Sequence, residues 1–134
     1  MLAGYSRLAG KFTEAPNQAQ VGTSFTNVPK HAVNAWTTYQ VTSNLSVGGG
    51  GRYQDRRLLR STVVAATATT PATVNNVYVP SYHTYDAVAS YRLSSSLDLR
   101  MNVYNISDKL FYDSGRMWVP AAGRSVAFTT SVKF

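Results

Sequence analysis

The stretch Arg124-Ser-Val-Ala-Phe-Thr-Thr-Ser-Val-Lys-Phe134 decides the fold. Val126, Phe128, Thr130, Val132 and Phe134 fall on one set of alternate positions, while Ser125, Ala127, Thr129, Ser131 and Lys133, small or polar, fill the other. A two-residue period over about ten residues describes a strand with one face in lipid and the other toward a wet lumen. The sequence stops on a large aromatic, which gains nothing at a frayed soluble terminus but has a use in the aromatic girdle of a membrane barrel.

The same alternation recurs upstream. Leu97, Leu99, Met101 and Val103 interleave with Asp98, Arg100, Asn102 and Tyr104. Burying that charged face in a sandwich core would be expensive. Ser81 to Leu93 carries Tyr85, Ala87, Ala89, Tyr91 and Leu93 on one face and Thr84, Asp86, Val88, Ser90 and Arg92 on the other. Leu45 to Arg57 and His31 to Val41 repeat the pattern, with four glycines at 48–51 that mark a bend or a close backbone approach. Met1 to Thr13 reads as a first strand with blurred alternation. The expectation is an all-β, antiparallel membrane sheet of six strands.

Connections alternate in length. Glu14 to Lys30, Leu58 to Pro80 and Asn105 to Gly123 read as long loops, the second of them the longest and mobile, while Thr42 to Asn44 and Ser94 to Ser96 read as tight turns. That parity puts every long loop at one end and both short turns at the other, as in bacterial outer-membrane barrels. Six strands are too few to close a barrel, since single-chain examples begin at about eight. An open edge in hydrocarbon leaves backbone groups unpaired. The chain is therefore expected to be the last part of a larger barrel. Met1 to Lys11 lacks the basic start and apolar middle of a signal peptide, which points to coding sequence upstream.

Composition agrees. The 134 residues include nine Tyr, nine Gly and no Cys, and only 14% are charged, a mixture that favours strands and removes disulfides and thiolate metal sites. No run approaches the roughly 18 apolar residues of a membrane helix. The formal charge of +7 comes from scattered cations and one group, Arg52, Arg56, Arg57 and Arg60, so no nucleic-acid partner is expected. The same positions suit an anionic small ligand or lipopolysaccharide phosphates.

Catalysis has little support. Alternation separates His83 from Asp86, no Gly-x-Ser-x-Gly elbow occurs, and the glycine run lacks the Lys-Ser or Lys-Thr of a phosphate loop. The chain is expected not to be an enzyme and to need no cofactor or metal.

Five segments together resemble a known family: Asn27 to Tyr39, Val47 to Tyr53, Val79 to Tyr91, Leu99 to Lys109, and Gly123 to Phe134. Their order and spacing look like the C-terminal end of TonB-dependent siderophore receptors, most closely the ferric-catecholate type. The resemblance implies a barrel of about 22 strands filled by an N-terminal plug. It also implies a ferric siderophore as ligand, energy delivered through TonB, and location in the bacterial outer membrane. On that reading residues 1–134 belong to the barrel, and the plug and TonB box lie outside them.

Residue roles follow from both lines of reasoning. Tyr39, Tyr53, Tyr85, Tyr91 and Phe128 are expected as outward interface anchors. Arg52, Asp86, Arg92 and Arg100 share the lumen face, where they are expected to pair with one another or with the plug. Asn105 and Asp108 are expected to cap the turn where a strand leaves the membrane. Ligand contact is expected among Arg56, Arg57, Tyr78, Tyr82, His83, Tyr112, Arg116 and Trp118, because cations and aromatic faces together suit an anionic, flat-ringed iron chelate. Val126, Phe128, Val132 and Phe134 are expected to serve as the signal read by the barrel-assembly machinery. The competing readings are a non-transporting outer-membrane adhesin or structural barrel completed by oligomerisation, and a soluble carbohydrate-binding β-sandwich.

Overall fold

The computed structural model describes residues 1–15, 21–113 and 119–134. Eight strands form in chain order: β1 (Leu2–Arg7), β2 (His31–Gln40), β3 (Leu45–Gln54), β4 (Arg57–Val64), β5 (Thr73–Val79), β6 (Tyr82–Ser94), β7 (Leu97–Tyr104) and β8 (Ser125–Val132). Six of them make one antiparallel sheet in the order β1-β2-β3-β6-β7-β8, and β4 pairs only with β5.

Register carries one parity through the wall. Val33 faces Tyr53, Gly51 faces Tyr85, Ala87 faces Val103 and Met101 faces Phe128, each pair directly opposite. Odd positions from β1 to β7 and even positions of β8 therefore share the apolar face. Asn34, Arg52, Thr84, Asp86, Ser90, Arg100, Asn102 and Thr129 share the polar one. In the large sheet the ladder slips only between Arg92 and Ser94, beside the β6–β7 turn.

The glycine run answers to a neighbour. Gly50 lies opposite Trp36, and a Cβ there would stand 2.2 Å from the Ala35 carbonyl oxygen and 2.5 Å from Trp36 Cε3. The indole thus covers the residue that has no side chain of its own, and the position has no room for one.

Two expectations are corrected. The first strand is Leu2–Arg7 rather than Met1 to Thr13; beyond it the chain continues as a loosely paired arm with a single bridge, Lys11 to Ser24. The second long connection is not a structureless loop, because β4 and β5 form a hairpin within Leu58 to Pro80, with Arg57 as the first residue of β4 rather than the last of β3.

Among the described residues no second layer covers the apolar face of the wall, so its apolar side chains stay exposed; Phe128 is 78% accessible. The buried apolar residues among those described are Leu58, Val79, Tyr82 and Phe111. All four lie where the long connections meet, so the packed part of the molecule is its loop end.

Candidate functional site

The loop end is assembled from three connections. Asn27 N–H donates to the Leu58 carbonyl (2.7 Å), and Pro29 bridges Arg57, which fixes the first connection to the start of β4. Arg57 is 4% exposed and its guanidinium donates to Gln54 Oε1 (3.2 Å) and to the Tyr112 carbonyl (2.7 Å). A buried charge of this kind must be matched by acceptors. Arg57 therefore ties the end of β3, the hairpin and the third connection together.

Beside it the third connection folds over the polar face. Phe111 stacks on Tyr82 with ring centroids 4.4 Å apart, and the Tyr82 hydroxyl donates to Asp113. Arg52 donates to Thr84 Oγ1 (3.2 Å) and to Asp113 Oδ2 (3.4 Å), while its guanidinium carbon lies 5.5 Å from the Tyr82 ring centre and 5.3 Å from that of Phe111. The Arg52–Asp113 pair is about half exposed on both sides, so solvent screens it.

The base of this connection is set by two left-handed residues, Asn105 (φ 49°) and Asp108 (φ 52°). The Asn105 side chain accepts from Lys109 N–H (3.0 Å) and donates to the carbonyls of Lys109 (3.0 Å) and Ala122 (3.3 Å). Asp108 Oδ1 accepts from Arg124 N–H (2.7 Å), which launches β8. The capping expected of these two residues is what the geometry shows.

Arg52, Asp86, Arg92 and Arg100 share the polar face, but Asp86 does not pair with the arginines: its carboxylate accepts the Asn105 backbone N–H (2.7 Å). Arg52 takes Asp113, Arg100 donates to Ser90 Oγ (3.2 Å), and Arg92 lies 3.5 Å from Asp98, which Lys133 also approaches at 3.5 Å. Along the turn half of the polar face, Ser46, Ser90, Arg100, Asn102 and Thr129 line a recess of about 550 Å³.

The expected ligand residues divide by placement. Arg56 and Tyr78 stand together on the exposed side of the hairpin, with the guanidinium 5.1 Å from the ring centre. Arg57 and Tyr82 are buried in the packed cluster, and Tyr112 is half-buried beside them. His83 lies on the apolar face next to Tyr85 (5.7 Å between rings). Arg116 and Trp118 lie outside the described residues. Sequence reasoning missed Phe111 and Asp113 because neither belongs to an alternating segment. Val126, Phe128 and Val132 are on the apolar face of β8, and Phe134 follows the end of that strand.

The chain matches, over residues 1–106, the family described as TonB dependent receptor-like, beta-barrel. It belongs to that family. It is 34% identical over 134 residues to the probable TonB-dependent siderophore receptor PiuA of Acinetobacter baumannii, a match that covers 98% of this chain and 16% of the relative. The catecholate siderophore receptor Fiu of Escherichia coli is 30% identical over 139 residues, covering 100% and 17%. The crystal structure of Fiu in its closed form superposes with a TM-score of 0.75 at 26% identity, over 99% of this chain and 18% of that one. The chain thus spans about one sixth of the length of these curated relatives. Membership makes the wall part of an outer-membrane barrel and does not favour the adhesin or the soluble sandwich.

Proposed function

We propose that this chain forms part of an outer-membrane receptor that imports ferric siderophores with energy delivered through TonB, and that it acts as a transporter rather than an enzyme. The observation that carries the proposal is the match of the whole chain to siderophore receptors, one of them for catecholates. The six strands supply a sector of barrel wall, and the three long connections supply part of the extracellular mouth. Because β1 and β8 each have one neighbour here, further strands must pair with them inside hydrocarbon.

Within that reading, Arg56 and Tyr78 are the best-placed ligand residues, with an exposed cation and ring for an anionic, aromatic iron chelate. Arg57 and Tyr82 brace the mouth, and Tyr112, Arg116 and Trp118 share its third connection. The recess around Arg100 and Asn102 is the surface for a plug, Arg52, Asp86 and Arg92 extending its polar face. Val126, Phe128, Val132 and Phe134 present the strand that the assembly machinery takes up. His83 is better suited to the lipid boundary than to ligand.

The test is ferric-catecholate uptake by the full-length receptor in cells that lack other catecholate receptors. Replacing Arg56 and Tyr78 together by Ala is expected to raise the half-saturating ligand concentration about tenfold at unchanged surface abundance, from cation–π and charge contacts of about 0.5–1 kcal/mol each. Unchanged uptake would remove the pair from the ligand surface.

A further inference from the structure

Arg52 and Tyr82 are neighbours on the polar face, because Arg52 stands opposite Thr84 and Gln54 opposite Tyr82 in the β3–β6 ladder. One side chain from the third connection meets both. Asp113 accepts from the Tyr82 hydroxyl through Oδ1 and from the Arg52 guanidinium through Oδ2 at 3.4 Å. The rings of Tyr82 and Phe111 flank that guanidinium, with their centres 5.5 and 5.3 Å from its carbon. A cation, a hydroxyl donor and two aromatic faces gathered around one carboxylate are also the chemistry that recognises an anionic, flat-ringed chelate.

The carboxylate is held in a way that permits exchange. The side chains of Arg52 and Asp113 are 45% and 47% exposed, and 3.4 Å is long for a charge-assisted hydrogen bond, so this contact is weak. Phe111, two residues before Asp113, is buried against Tyr82 and gives the third connection a second anchor that does not use the carboxylate. The neighbouring Arg57 is built differently. Its guanidinium is buried and donates to uncharged acceptors, Gln54 Oε1 and the Tyr112 carbonyl, so its charge is kept for bracing. Asp86 is likewise tied to backbone, through the Asn105 N–H. Asp113 thus puts a weakly held, half-exposed anion on a cation that ligand oxygens would suit, and two anionic groups compete for that one guanidinium.

We propose that Arg52 and the Tyr82 hydroxyl form an anion subsite which Asp113 occupies in the ligand-free receptor, and that catecholate oxygens of the iron chelate take the place of the Asp113 carboxylate there. Asp113 is on this account a built-in competitor that lowers affinity, and its departure frees the third connection from the polar face. The proposal rests on the siderophore reading above and adds to it a subsite separate from Arg56 and Tyr78.

The experiment measures equilibrium binding of a ferric tris-catecholate chelate to the full-length receptor in phosphatidylcholine nanodiscs. Asp113→Asn keeps a hydrogen-bond acceptor for Tyr82 but removes the competing charge, and is expected to bind the chelate about threefold to fivefold more tightly than wild type. Arg52→Gln is expected to bind about tenfold more weakly. In the Arg52→Gln background, adding Asp113→Asn should change affinity by less than about twofold, because the contested cation is gone. Unchanged or weaker binding by Asp113→Asn overturns the proposal, since a carboxylate that only braces the loop would give that result. An equal gain in both backgrounds also overturns it, because Asp113 would then repel the ligand without occupying its place. Heat-modifiable gel mobility reports folding of each variant; if Arg52→Gln fails it, the sign of the Asp113→Asn change decides. Absence of binding by wild type defeats the siderophore reading and this subsite with it, whereas wild-type binding with no gain from Asp113→Asn defeats the subsite alone.

Discussion

Asn105 shows how much one residue of the chain can hold. Its backbone N–H satisfies Asp86, its side chain makes three hydrogen bonds across the third connection, and its φ of 49° suits Asn better than most residues. Replacing Asn105 by Ala removes those three bonds from a buried position, so urea unfolding of the full-length receptor in liposomes should show a loss of about 3 kcal/mol. Gly50 is constrained by space instead of bonding. Gly50→Val puts a branched side chain where the Ala35 carbonyl and Trp36 already lie, and the folded, heat-modifiable band should largely disappear from outer-membrane preparations. Both residues stood out in the sequence, as a turn cap and as a close backbone approach. Asp86 was legible only as a lumen charge, since its acceptor role depends on where a loop backbone turns back, and alternation does not encode that.

At the scale of elements, β2, β3, β6, β7 and β8 could be read because a solvated face and a lipid face impose opposite chemistry on alternate residues. β4 and β5 escaped because that contrast fails there: the hairpin lies outside the six-stranded wall, and a bulge between Leu58 and Arg60 breaks its period. The third connection was equally opaque, since Phe111 and Asp113 act through contacts with Tyr82 and Arg52 some thirty to sixty positions away. Its inward pose has a testable consequence. Asp113→Ala removes the acceptor shared by Tyr82 and Arg52, and protease added to intact cells should cut within residues 105–123 several-fold faster than in wild type. Equal rates would mean that the Phe111–Tyr82 stack alone holds the connection.

For the molecule as a whole, the wall has a single sidedness, and neighbouring residues of β7 report on it. Met101 faces lipid near the middle of its strand, and Asn102 faces the polar recess. Met101→Arg should therefore cost about 2–4 kcal/mol in the refolded receptor, whereas Asn102→Arg should change stability by less than about 1 kcal/mol. Similar costs would mean that the two faces are exchanged or that neither meets hydrocarbon. This sidedness was the most legible property of the sequence, because the apolar face of β2, β3, β6, β7 and β8 carries no Asp, Glu, Lys or Arg. The packing at the mouth was the least legible, because it joins segments that share no period.

The guanidinium of Arg57 bears on how such a mouth could be re-engineered. With Gln54 and Tyr112 hydrogen-bonded to it, Pro29 bridged to its backbone and Leu58 receiving Asn27, the three surface segments meet at one joint. Transplanting a single segment from a cousin with different ligand preference would leave the joint mismatched on two sides. Exchange of ligand preference should therefore succeed only when all three segments travel together.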